Sequence, residues 1–132
     1  MARSRTVNLT DTGGVVTVLA SAARTASVDS ADFYNADGYR GLHLIIDATA
    51  SAATPSVVFT IQGYSGLGND YYTILASAAI TGTGTTILRV FPGATAANNL
   101  VANDTLPPVW RVSVAAGDAD SLTYSVNAAL LY

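Results

Sequence analysis

At 132 residues the chain has the length of one domain and can enclose a real hydrophobic core. Half of its residues are hydrophobic and 11% are charged, against roughly 25% in an ordinary soluble domain. All six basic residues are Arg and all nine acidic residues are Asp, so long solvated helices, which rely on Lys and Glu, are not expected. The net charge of −3 includes no basic tract to follow a phosphate backbone, which excludes nucleic acid as the main partner. With no cysteine, disulfides and thiolate metal sites are impossible. No apolar run reaches the ~18 residues of a membrane-crossing helix, and residues 1–14 lack a hydrophobic signal core. The composition therefore predicts a soluble protein made in the cytosol, with no membrane partner. A surface this poor in charge is weakly protected against association, and coverage by partner chains is expected.

Residues 1–14 carry Arg3 and Arg5 and no buried-strand pattern before Gly13 and Gly14. They are expected to form an N-terminal arm, either a frayed terminus or an extended segment that reaches a neighbouring subunit, where the two guanidinium groups would grip carboxylates by forked hydrogen bonds. Residues 15–132 are expected to form a single β-domain. Short strands are predicted over residues 15–20 and 24–30, followed by a loop over 29–38 in which Phe33 and Tyr34 plug the core. Residues 41–47 (GLHLIID) suit a central strand, with Leu42, Leu44 and Ile46 on one side and His43, Ile45 and Asp47 on the other.

The organising stretch is residues 56–93. Its runs at Val57–Tyr64, Tyr71–Ala76 and residues 85–91 are rich in β-branched and aromatic residues. Glycine- and Asn-bearing connections separate them, and the pattern predicts three antiparallel strands joined by hairpins. Pro92 closes the third strand, because it offers no N–H to a ladder. Residues 93–108 form a long connection, expected to make contacts through Asn98, Asn99, Asn103 and Asp104. Strict alternation resumes at 109–115, with Trp110, Val112 and Val114 facing one way, and again at Leu122–Leu131. The expected fold is all-β, an antiparallel β-sandwich or jelly-roll-like barrel of about eight strands. Phe59, Ile61, Leu44, Trp110, Val112 and Tyr124 are its expected core anchors.

The residue types of most catalytic sites are missing. Without Cys, Lys or Glu, and with His43 alone in mid-strand beside no nucleophile turn, no enzyme activity, catalytic residue or cofactor is expected. Asp118 and Asp120, or Asn69 and Asp70, could offer oxygens to Ca²⁺, but Asp in a Gly-bounded turn normally serves the turn itself, so no metal site is expected. The glycines of residues 81–86 precede a strand and have no helix N-terminus with which to hold phosphate.

Several segments together resemble the small virion proteins of tailed bacteriophages: VVFTIQGY (57–64), YYTILASAAI (71–80), TTILRVFPG (85–93), LPPVWRVSV (106–114) and GDADSLTYSVNAALL (117–131). The resemblance spans roughly the C-terminal two-thirds and is one of overall pattern. It implies a structural part without a cofactor, a capsid decoration (cement) protein on the virion surface, synthesised in the host cytoplasm. Its partners would be the major capsid protein and copies of itself as a dimer or trimer. A tail or neck component is the alternative within that class. From another class, a carbohydrate-binding β-sandwich would use Tyr64, Tyr71, Tyr72 and Trp110.

Overall fold

The computed structural model describes residues 6–8 and 14–132. Along the chain they form β1 (Thr6–Asn8), β2 (Val15–Arg24), β3 (Val28–Asp29), β4 (Asp32–Tyr34), β5 (Gly41–Ser51) and β6 (Val57–Tyr64). After these come β7 (Tyr71–Ala76), β8 (Gly84–Val90), β9 (Val101–Ala102), β10 (Val109–Ala116) and β11 (Leu122–Leu131). No helix occurs among the described residues, and hence none long and apolar enough to cross a membrane.

The strands make two sheets. The first runs β1-β4-β10-β6-β7, with β3 also on β10, and the second runs β2-β11-β5-β8-β9. Pairing is antiparallel except for β1 with β4 and β8 with β9. The fold is the expected all-β sandwich, and its cause is period-two alternation on the four long inner strands. Leu42, Leu44 and Ile46 on β5, Phe59 and Ile61 on β6, Trp110, Val112 and Val114 on β10, and Leu122, Tyr124 and Val126 on β11 are all buried. All six expected core anchors lie in this set.

Two aromatic contacts mark the depth of the core. Phe33 stacks on Trp110 within the first sheet, with ring centroids 4.7 Å apart. Phe59 of β6 meets Tyr124 of β11 edge to face at 4.9 Å, joining the two sheets. Tyr124 brings a penalty with it, because its hydroxyl is buried with no hydrogen-bond partner, as is the indole N–H of Trp110.

Three expectations need correction. Residues 56–93 are not one meander: β6 and β7 pair as a hairpin, but β8 crosses to the second sheet and pairs β5 from Leu42↔Val90 to Ala48↔Gly84. The connection at residues 81–84 is thus a bridge between layers. Residues 24–30 are not one strand: β2 extends to Arg24, and only Val28 and Asp29 pair again, with β10. The aromatic plug is Phe33 alone, since the neighbouring Tyr34 points outward from β4 and is exposed. Thr6–Asn8, within the expected arm, pairs with β4, whereas residues 1–5 and 9–13, including Arg3 and Arg5, lie outside the described residues.

Gly41 opens β5 where the chain leaves no room for a side chain. A Cβ there would lie 2.1 Å from the Val90 carbonyl oxygen and 2.6 Å from the Phe91 ring. Because the first obstacle is backbone of a paired strand, Gly41→Ala is expected to destabilise by roughly 2 kcal/mol or more, read as a lower urea midpoint at unchanged slope. Tyr124→Phe is expected to act the other way. It keeps the ring against Phe59 and removes the orphan hydroxyl, adding about 1 kcal/mol at neutral pH in the same measurement.

Candidate functional site: the two outer faces and the loop ends

The outward face of the first sheet is a connected polar and aromatic layer. Arg111 on β10 donates from Nε to Gln62 Oε1 on β6 at 2.8 Å and pairs with Asp29 at 3.3 Å. Asp29 in turn accepts the Ser113 hydroxyl at 2.6 Å. The Arg111 guanidinium lies 3.5 Å from the centroid of the Tyr71 ring. Tyr71 reaches over the sheet to donate its hydroxyl to the buried Asp32 carboxylate at 2.9 and 3.0 Å. The layer thus ties β4, β10, β6 and β7 together from outside. Its ion pair is partly exposed and contributes at most about 1 kcal/mol, so its effect is to fix side-chain positions.

The outward face of the second sheet is different in kind. Register sets Val15, Ala129, His43 and Arg89 in one row across β2, β11, β5 and β8, and Thr17, Asn127, Ile45 and Ile87 in the next. The second row carries no charge. His43 stands in the first row, half-buried between Ala129 and Arg89.

The residues 93–108 connection is anchored at several points. Within it, β9 runs parallel to β8. Asn103 accepts the Gly93 N–H at 2.7 Å, Asp104 accepts the Thr105 N–H at 2.7 Å, and Asn99, at φ +62°, donates to the Ala76 carbonyl at 3.0 Å. Asn98, Asn99, Asn103 and Asp104 are all exposed, yet three of these four expected contact residues already hold the loop in place. Beside the loop lies a half-open groove of about 300 Å³. Ala78, Ala79 and Ile80 form one wall, Leu100 with Asn98 and Asn99 the other, and Thr86 lies between. Sequence reasoning found the loop but not the groove, because the wall from residues 78–80 comes from the misassigned crossover.

The remaining candidates do not converge. The Asp118 side chain accepts the Asp120 N–H, and Asp120 accepts from Thr54, as turn residues do. Asn69 accepts the Tyr64 hydroxyl at 2.6 Å. Among the described residues, no three His, Cys, Asp or Glu side chains gather to hold a metal ion. The four aromatics suggested for sugar binding form no common platform. Trp110 is wholly buried, Tyr64 and Tyr71 are tilted by 51°, Arg111 covers Tyr71, and Tyr72 lies over Gly63. A Cβ at Gly63 would stand 2.3 Å from the Tyr72 ring, so glycine is what lets that ring settle onto β6. Comparison with protein-family models, with curated proteins and with solved structures finds no match to this chain.

The Tyr71 hydroxyl is held above the usual tyrosine pKa, first by burial and then by its hydrogen bond to Asp32, with Arg111 pulling the other way. Burial also raises Tyr124, partly offset by Arg24 over its ring at 4.5 Å. A tyrosine raised in the folded state favours folding fully below the unfolded pKa of about 10, and loses that contribution as pH climbs through the folded value. Stability is therefore expected to fall as pH rises beyond about 10, and Tyr71→Phe should lessen the fall in urea titrations taken into that range.

Proposed function

We propose that the protein is a structural subunit whose work is adhesion, and specifically a capsid decoration protein of a tailed bacteriophage that binds the head lattice and copies of itself. The observation that carries this reading is the outward face of the second sheet. Thr17, Asn127, Ile45 and Ile87 form an uncharged row with Val15 and Ala129 beside it, on a sheet whose inner face is fully occupied by the core. A face with a neutral, partly apolar middle row between His43 and Arg89 on one side and Asp47 on the other, backed by the core, suits contact with another protein surface, since little conformational entropy is lost on docking. The bacteriophage assignment rests on the sequence resemblance, and the face supplies its physical counterpart. The opposite face, crossed by the Arg111 and Tyr71 layer, suits the solvent side.

The test is addition of the purified protein to phage heads that lack a decoration protein. Saturable binding and a raised temperature of head disruption are expected. Ile45→Asp, a charge placed in the neutral row, should weaken head binding at least tenfold while circular dichroism stays unchanged. Binding to a glycan array with none to heads would instead support the carbohydrate-binding reading.

A further inference from the structure

The outward face of the second sheet carries His43, Arg89 and Asp47, and register sorts them by row. His43 pairs with Arg89 on one side of the Ile45 and Ile87 row, and Asp47 pairs with Thr85 on the other. Both flanking rows are two residues from the middle row, so the basic and acidic ends lie equally far from it, about 7 Å each way. Arg89 and Asp47 are thus roughly 13 Å apart along the strands, too far to pair within one chain. Neither takes part in an ion pair among the described residues, and Asp47 accepts only a long hydrogen bond, 3.5 Å, from the Thr85 hydroxyl.

Two copies of this face can meet about a two-fold axis in either of two ways. An axis along the strands sets each row against its own counterpart, so Arg89 meets Arg89 and Asp47 meets Asp47. An axis across the strands, through the middle row, reverses strand direction between the copies and sets each flanking row against the opposite one. His43 then lies over Asp47 of the second copy, and Arg89, one strand away at about 4.8 Å, reaches the same carboxylate. Like charges brought together across an interface cost energy and opposite charges steer it together, so charge selects the second axis. Under that axis the middle row packs on itself. Ile45 and Ile87 meet their own counterparts, and the Asn127 amide, with both donor and acceptor, faces another Asn127.

The area is sufficient. β2 and β11 are ten residues long, β5 eleven and β8 seven. At the spacings of a sheet they present about 600 Å² a side, so two copies exceed the roughly 1,000 Å² in total that a specific interface requires.

We infer that this face is a homodimer contact, in which a second copy docks about a two-fold axis across the strands, with Ile45 and Ile87 against their counterparts and Arg89 and His43 against Asp47 of the other chain. The contact is isologous and closes at two copies. The inference rests on the adhesive reading above and deepens it by naming a second copy as the partner of that face. A dimer carries two lattice-binding subunits in place of one, so breaking the pair lowers head binding as well.

Sedimentation equilibrium of wild type, Asp47→Arg, Arg89→Asp and an equimolar mixture of the two variants tests it, with circular dichroism and the thermal midpoint as checks on folding. Wild type is expected to dimerise, and each variant alone to do so more weakly by roughly tenfold or more, since like charges then meet across the axis. In the mixture one chain has Arg at both positions and the other has Asp at both. Both contacts become complementary, and dimers are expected to recover to near the wild-type level. Asp47→Asn, which keeps the shape of the side chain, should weaken dimerisation in the same direction. A mixture that stays as weak as its components would overturn this pairing, as would wild-type association that no variant weakens, and either result leaves an adhesive subunit in place. Wild type that remains monomeric but binds phage heads would overturn the homodimer alone, whereas failure in both assays would remove the adhesive reading with it.

Discussion

The edge-to-face contact between Phe59 and Tyr124 is where the two sheets become one structure. It lies at the middle of a layer built by β5, β6, β10 and β11, whose inward residues are aliphatic or aromatic without interruption. Each large side chain removed from water there contributes roughly 1.5–3 kcal/mol, whereas the Arg111–Asp29 pair on the surface contributes at most about 1 kcal/mol. The sandwich is therefore held from within, and its outer faces are free to differ. Those central strands also tolerate two polar groups, the Trp110 N–H and the Tyr124 hydroxyl, that find no partner. The area these rings bury offsets the desolvation of one donor each.

What the sequence made legible follows from the same layer. Alternation on four strands declares which residues point inward, so the core and the class of fold could be read from Leu44, Phe59, Ile61, Trp110, Val112 and Tyr124. Alternation says nothing about which strand lies alongside. β8 has the same pattern whether it pairs β7 in a hairpin or β5 some forty residues away, and Thr81–Gly82–Thr83–Gly84 permits either path. The short strands β1, β3, β4 and β9 carry too few residues for any period to show. β2 runs beyond its expected end at Ala20 because Ala22 and Ala23, which have no strong strand preference of their own, are held by pairing with β11 across a register shift.

The candidate site was less legible, for a related reason. Asn98, Asn99, Asn103 and Asp104 were correctly placed in a long exposed connection, but a side chain's availability depends on neighbours distant in sequence. Asn99 is engaged by the Ala76 carbonyl and Asn103 by the Gly93 N–H. Likewise Tyr71 is drawn down by Asp32, thirty-nine residues away, and overlain by Arg111.

The two outer faces show how a chain with few charges can still be asymmetric. On the first sheet, Arg111, Asp29, Asp32 and Gln62 are spent on one another and on Tyr71, so most polar groups there are already satisfied within the chain. On the second sheet, the middle row has neither charge nor such a network. Covering the first face would disturb hydrogen bonds already made. Covering the middle row of the second removes the side chains of Ile45 and Ile87 and the methyl of Thr17 from water, which is favourable in proportion to the apolar area covered. The difference between the two faces thus lies less in how many charges each carries than in how they are used: on the first sheet they are engaged with one another across four strands, and on the second they stand in the rows either side of an uncharged middle row.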